Sequence, residues 1–148
     1  MKFVPTDLEG AFLVQTEAMS DDRGSFTRTF CAREFAGYGL ECNWVQHSIS
    51  FNLAKGTLRG LHYQCAPYGE AKLIHCIAGR IFDVIVDLRP ESGTYRKSFC
   101  TELSSESGIQ LYVPQGFAHG FLTLEKNCKV EYCISTYYEP SAVRGVRW

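Results

Sequence analysis

The chain has 148 residues, 45% of them hydrophobic and 21% charged, which is enough apolar material for one core and one domain spanning 1–148. A formal net charge of −1 excludes a broad electrostatic grip on nucleic acid or an anionic membrane surface, so any phosphate it binds is held locally by a few cations. No apolar run approaches membrane-spanning length. The seven cysteines are odd in number and lack CxxC spacing, and the N-terminus lacks a basic run followed by an apolar core, which reads as reduced thiols in a cytoplasm.

In chain order, residues 11–17 alternate as a strand, Ser20-Asp21-Asp22-Arg23-Gly24 reads as a turn, and 25–30 resumes extended structure. The one helix expected is short, 31–38, anchored by Phe35 and stopped by Gly37 and Gly39. Everything after it reads as β. Residues 56–64 suit an irregular strand at a barrel rim. Strict alternation would put Arg59 and His62 on opposite faces, and a break in the pleat at Gly60 would let both converge on one pocket. Residues 71–78 and 80–88 are two apolar strands meeting at Ala78-Gly79-Arg80. In the second, Phe82, Val84, Val86 and Leu88 share one face, and Ile81, Asp83, Ile85 and Asp87 the other. Two acids on an otherwise apolar face imply a wet or liganded cavity. Further strands are expected at 98–103, 109–113, 120–124 and 129–137, the last two joined through Glu125-Lys126-Asn127. Short, turn-punctuated strands with almost no helix predict an all-β sandwich or jelly roll, without repeat, linker or second domain.

Candidates for chemistry at the mouth of such a barrel are Arg59, His62, Lys72, Asp83, His119, Tyr132 and Tyr138, with Arg23 from the early turn. Lys72 heads a strand, where its cation either faces a developing oxyanion or serves as a solvated edge charge. Tyr132 alternates with Val130 and Ile134, so it is core filler by default, yet a buried phenol needs a polar partner. The turn Pro114-Gln115-Gly116-Phe117-Ala118-His119-Gly120 resembles the second signature of cupin barrels. The first signature of metal-binding cupins supplies two histidines and a later glutamate, whereas His62-Tyr63-Gln64 supplies one histidine, so no metal is expected. A base, a phenol and cations without a cofactor motif suit proton abstraction beside a carbonyl, and the absence of a dinucleotide fingerprint or P-loop demotes hydride and phosphoryl transfer.

At these residues the chain closely resembles the dTDP-4-dehydrorhamnose 3,5-epimerase family. The likeness runs through Asp22-Arg23-Gly24-Ser25-Phe26, 56–64, Glu70-Ala71-Lys72-Leu73, 79–89, 114–121, 130–132, Tyr137-Tyr138-Glu139-Pro140 and 144–148. The resemblance implies a cupin-type jelly roll that forms a homodimer by exchanging its N-terminal segment, with no metal or other cofactor. It implies an epimerase of an NDP-4-keto-6-deoxy sugar, acting in deoxysugar biosynthesis. His62 is then the base beside the C4 ketone and Tyr132 the acid on the opposite face, while Lys72 and Arg59 stabilise the enolate. Arg23 and Phe26, contributed across the dimer, hold the nucleotide sugar together with Gln46, His119 and Tyr138.

Two departures from the family pattern bear on this. Arg28 stands where family members commonly carry a glutamate, near the nucleotide end. The family also continues past the position of Trp148, and that tail provides the aspartate that orients the catalytic histidine. Asp83 is the expected substitute. The alternative from another class is a catalytically silent nucleotide-sugar-binding jelly roll.

Overall fold

The computed structural model describes residues 1–147, so Trp148, the last residue of the C-terminal motif, lies outside the described residues. In chain order the elements are β1 (Lys2–Pro5), β2 (Phe12–Gln15), β3 (Ala18–Asp21), β4 (Gly24–Thr27), α1 (Ala32–Gly37), β5 (Gln46–Asn52), β6 (Leu58–Gln64), β7 (Lys72–Ala78), β8 (Arg80–Asp87), β9 (Ser98–Ser104), β10 (Ile109–Val113), β11 (Phe117–Thr123), β12 (Cys128–Ile134) and β13 (Val143–Gly145). A six-stranded sheet, β1-β2-β10-β7-β12-β5, faces a five-stranded sheet, β13-β6-β11-β8-β9, and the hairpin β3-β4 forms a sheet of its own. This is the cupin-type jelly roll.

The core lies between the two large sheets. Ile74, Leu111 and Val130 from one meet Ile81, Ile85 and Phe121 from the other, all almost fully removed from water. A second cluster covers the far side of the six-stranded sheet, where Phe35 of α1 packs with Phe3, Val14 and Tyr112. Helix α1 thus closes that face and leaves the site to the space between the sheets.

The strands at 71–78 and 80–88 do not pair with each other: β7 lies in one sheet and β8 in the other. Gly79 is the corner where the chain changes sheets. Its φ of +74° suits glycine, and a Cβ there would stand 2.7 Å from the Cys128 sulfur. The strands joined through Glu125-Lys126-Asn127 also belong to different sheets. Alternation reports which face a side chain takes and is silent on which strand pairs with which, so both connections read as simple hairpins from sequence alone. Strands β1, β5 and β13 were not anticipated; they lie at sheet edges, and the last is three residues long.

Candidate functional site

The 56–64 stretch bends where its glycine predicts. Strand β6 pairs with β11 through His62↔His119 and Arg59↔Phe121, with a register shift between His119 and Phe121. Two residues of β6, Gly60 and Leu61, therefore oppose Gly120 alone, which is a bulge. Gly60 has φ +102°, and a Cβ on it would stand 2.5 Å from Gly120 Cα. Only a pair of glycines lets the two backbones approach this closely, and the bulge turns Arg59 and His62 toward the same side.

They meet in a cavity of about 160 Å3 lined by Arg59, Gly60, His62, Lys72, His119, Gly120, Phe121 and Tyr132. The five-stranded sheet supplies Arg59, His62 and His119, and the six-stranded sheet supplies Lys72 and Tyr132. The base candidate and the phenol candidate thus come from opposing walls. His62 and Arg59 are exposed at the mouth, and Lys72 and His119 are buried at the floor.

Lys72 is no solvated edge residue. It sits on the central strand β7, between β10 and β12, and its Nζ pairs with Glu70 Oε1 at 2.9 Å, both side chains 11% exposed. Glu70 had no role in the sequence reading; its place two residues before Lys72 in an extended segment was the available signal. Tyr132 is half-buried with its ring edge-on to His119, centroids 5.9 Å apart. Burial and then the Asp83 charge push its phenol well above the ordinary tyrosine range, opposed by the Arg59 cation. Tyr132 therefore stays protonated and holds its proton more tightly than an ordinary phenol.

Asp83 does not partner His62. It is fully buried, and its Oδ1 lies 2.6 Å from His119 Nε2. An ionised carboxylate only accepts, so with Asp83 ionised the proton of this contact sits on His119 Nε2. The reason is geometric: Asp83 sits on β8 and is in register with Phe121 of β11, so the nearest imidazole is the one on that neighbouring strand. Among the described residues the His62 side chain makes no hydrogen bond, and Asp83 Oδ2 is buried without a partner. No three His, Cys, Asp or Glu side chains among the described residues converge as a metal-ligand set.

The remaining candidates fall into two groups. Gln46 and Tyr138 touch: the Tyr138 backbone N–H donates to Gln46 Oε1 at 2.7 Å. Gln64, missed in the sequence, holds the same segment from the other sheet. Its Oε1 accepts from Glu139 N at 2.6 Å, and its Nε2 donates to the Tyr137 carbonyl at 3.3 Å. The exposed Tyr138 ring is thus borne on a segment tied to both sheets. Arg23 and Phe26 lie apart from the cavity, on the β3-β4 hairpin, where they line a separate concavity and Arg23 pairs with Asp21 at 2.6 Å.

Comparison with known proteins adds the following. A family profile described as dTDP-4-dehydrorhamnose 3,5-epimerase matches residues 5–148. A protein of that name from Methanothermobacter thermautotrophicus is 41% identical over 147 residues, covering 99% of this chain and 78% of its own. The crystal structure of the Bacillus anthracis protein of the same name, solved with TDP and PPi bound, superposes with a TM-score of 0.96 at 39% identity over 99% of this chain and 84% of that one. A dTDP-6-deoxy-D-glucose-3,5-epimerase from Legionella pneumophila, solved in complex with dTDP-4-keto-L-rhamnose, gives a TM-score of 0.93 at 32% identity over 99% of this chain and 78% of that one.

Proposed function

The chain belongs to the dTDP-4-dehydrorhamnose 3,5-epimerase family, and from that premise we infer that it is an isomerase inverting C3, C5 or both in an NDP-4-keto-6-deoxy sugar. The observation that carries this reading is the placement of His62 and Tyr132 on opposing walls of one cavity, with Arg59 on the first wall and Lys72, paired with Glu70, on the second. Inversion at carbon needs that arrangement, because the proton must leave one face of the sugar ring and return on the other.

His62 takes the proton beside the C4 ketone, and the electron pair of the broken C–H bond moves onto the carbonyl oxygen. The cations of Lys72 and Arg59 stabilise the resulting enolate. Tyr132, kept protonated by its surroundings, then delivers a proton to the opposite face of the same carbon. The enzyme resets when His62 loses its proton and Tyr132 regains one, both by exchange with solvent. The Asp83 carboxylate holds the His119 ring in one tautomer at the floor of the cavity, which makes Asp83 a positioning residue. Gln46, His119 and Tyr138 hold the nucleotide sugar, Gln46 by fixing the backbone that carries Tyr138.

Arg23 and Phe26 reach this cavity in a homodimer, the N-terminal hairpin of each copy completing the other's site. Two features support exchange: Met19 and Phe26 stand exposed on a hairpin paired with neither large sheet, and the edge strand β5 exposes Ile49 and Phe51. Sedimentation as a monomer with full activity at micromolar concentration would contradict it. The cysteines, free thiols throughout, suit a reducing cytoplasm. Incubation with dTDP-4-keto-6-deoxyglucose, read by proton NMR of the sugar, should yield product inverted at C3 or C5. Tight binding without any inversion would leave the silent-binder reading in place of this one.

A further inference from the structure

Asn52 closes β5 and is buried to 2% exposure. Its amide is used in both senses. Oδ1 accepts from Arg59 Nε at 2.7 Å, while Nδ2 donates to the Ser50 carbonyl at 3.2 Å and toward the Cys128 carbonyl at 3.4 Å. The contact links the edge of the six-stranded sheet to the bulged strand of the five-stranded sheet, at the mouth of the cavity.

We propose that Asn52 is a positioning residue that fixes the Arg59 guanidinium through its Nε while leaving its positive charge uncompensated for the enolate oxygen. The proposal rests on the epimerase reading of the cavity. Three other arginines of the chain show what the alternative looks like: Arg23 pairs with Asp21, Arg80 with Glu102 and Glu125, and Arg89 with Asp87, whereas Arg144 at the surface is held, like Arg59, by neutral acceptors. Each of the three is held by a carboxylate that also neutralises it. Arg59 forms no ion pair among the described residues and is held instead by a neutral acceptor.

The choice of amide follows from the geometry. An aspartate would still accept from Nε, but it would turn an oxygen toward two carbonyls and neutralise the guanidinium. An apolar residue would leave Nε free to rotate away. Anchored at Nε, the side chain keeps both Nη groups without a hydrogen-bond partner among the described residues, a planar fork suited to an anionic oxygen. The charge is felt inside: it opposes the upward push of burial and Asp83 on the Tyr132 phenol.

The test is a double-mutant cycle of Asn52→Ala and Arg59→Lys, because lysine keeps a cation and lacks the Nε donor. The readout is the rate of deuterium entry from heavy water into dTDP-4-keto-6-deoxyglucose, with melting temperatures measured in parallel. In the Arg59 background, Asn52→Ala should lower kcat about tenfold and leave KM within about threefold, the pattern of an interaction used in the transition state. In the Arg59→Lys background the same substitution should change kcat less than about twofold. Equal losses in both backgrounds would make Asn52 a structural residue and overturn the proposal. Asn52→Asp decides the question if the alanine variant does not fold: turnover should fall at least tenfold, and near-wild-type turnover would overturn the claim that the charge must stay uncompensated. A wild-type protein that exchanges no deuterium overturns the epimerase reading and this proposal with it. Wild-type exchange with an additive cycle overturns the proposal alone.

Discussion

Asp83 and Asp87 lie on the same strand, on the same inward face, four positions apart, and both are fully buried, yet their surroundings could hardly differ more. Asp87 is saturated. Arg89 donates to it from Nε at 3.0 Å and Nη2 at 2.8 Å, Ser92 Oγ at 2.6 Å, Thr94 Oγ1 at 2.7 Å, and the Arg89 backbone N–H at 3.0 Å. Asp83 has His119 on one oxygen and, among the described residues, nothing on the other. A buried carboxylate is costly unless hydrogen-bonded, so Asp87 carries its own compensation while Asp83 is a cost that the fold offsets elsewhere. Burial is thus no guide to which acid works at the site. The degree of hydrogen-bond satisfaction is, because an acid fully tied to its own loop has no lone pair left for chemistry.

The sharpest way to break this comparison is to remove the charge at each position in turn. Asp83→Asn should lower turnover at low substrate (kcat/KM) about 100-fold, largely through KM, by releasing the His119 ring that holds the nucleotide sugar, with melting temperature little changed. Unaltered turnover would take Asp83 out of the mechanism. Asp87→Asn should do the reverse, costing about 3 kcal/mol of unfolding free energy in urea titrations while the folded fraction turns over normally, since it leaves Arg89 without its counter-charge. Comparable loss of activity in both variants would erase the distinction.

Acid sharpens it further. Burial tends to raise the Asp87 carboxyl, but the hydrogen bonds from Arg89, Ser92 and Thr94 outweigh that and hold it well below the ordinary range. A depressed folded-state pKa contributes stability that is fully present above the unfolded value of about 3.9 and lost as pH falls below it toward the folded value. Wild-type stability should therefore decline below about pH 4, and the decline should be shallower in Asp87→Asn. Equal slopes would show that this group is not the one being titrated. The smallest expected effect is at Thr94→Val, which removes one donor to Asp87 and should cost about 1.5 kcal/mol with no change in kcat.

The same pair of acids marks how far the sequence could be read. Alternation along β8 placed Asp83 and Asp87 on one inward face, and the glycine at position 60 announced the bulge that brings Arg59 and His62 together. What alternation cannot carry is partnership across strands. The pairing of Asp83 with His119 depends on the register of β8 against β11, and that of Arg59 with Asn52 depends on β5, an edge strand exposing Ile49 and Phe51 with no clear buried stripe. Lys72 was ambiguous for a related reason. Lysine at the head of a strand suits an edge, and only the sheet order, with β7 in the centre, shows it buried beside Glu70. The sequence stretch after Asp87 held the matching clue for the structural acid, since Arg89, Ser92 and Thr94 all follow it within one loop.

The central claim is that His62 and Tyr132 act on opposite faces of one carbon, and solvent exchange tests it most directly. In heavy water the wild-type protein should introduce deuterium beside the ketone of dTDP-4-keto-6-deoxyglucose, at C3 before C5. His62→Ala should lower that exchange by about 1,000-fold or more, whereas Tyr132→Phe should leave exchange measurable but uncouple it from inversion, the proton returning to the face it left. A wild-type protein that binds the 4-keto nucleotide sugar and exchanges none of its protons would contradict the account.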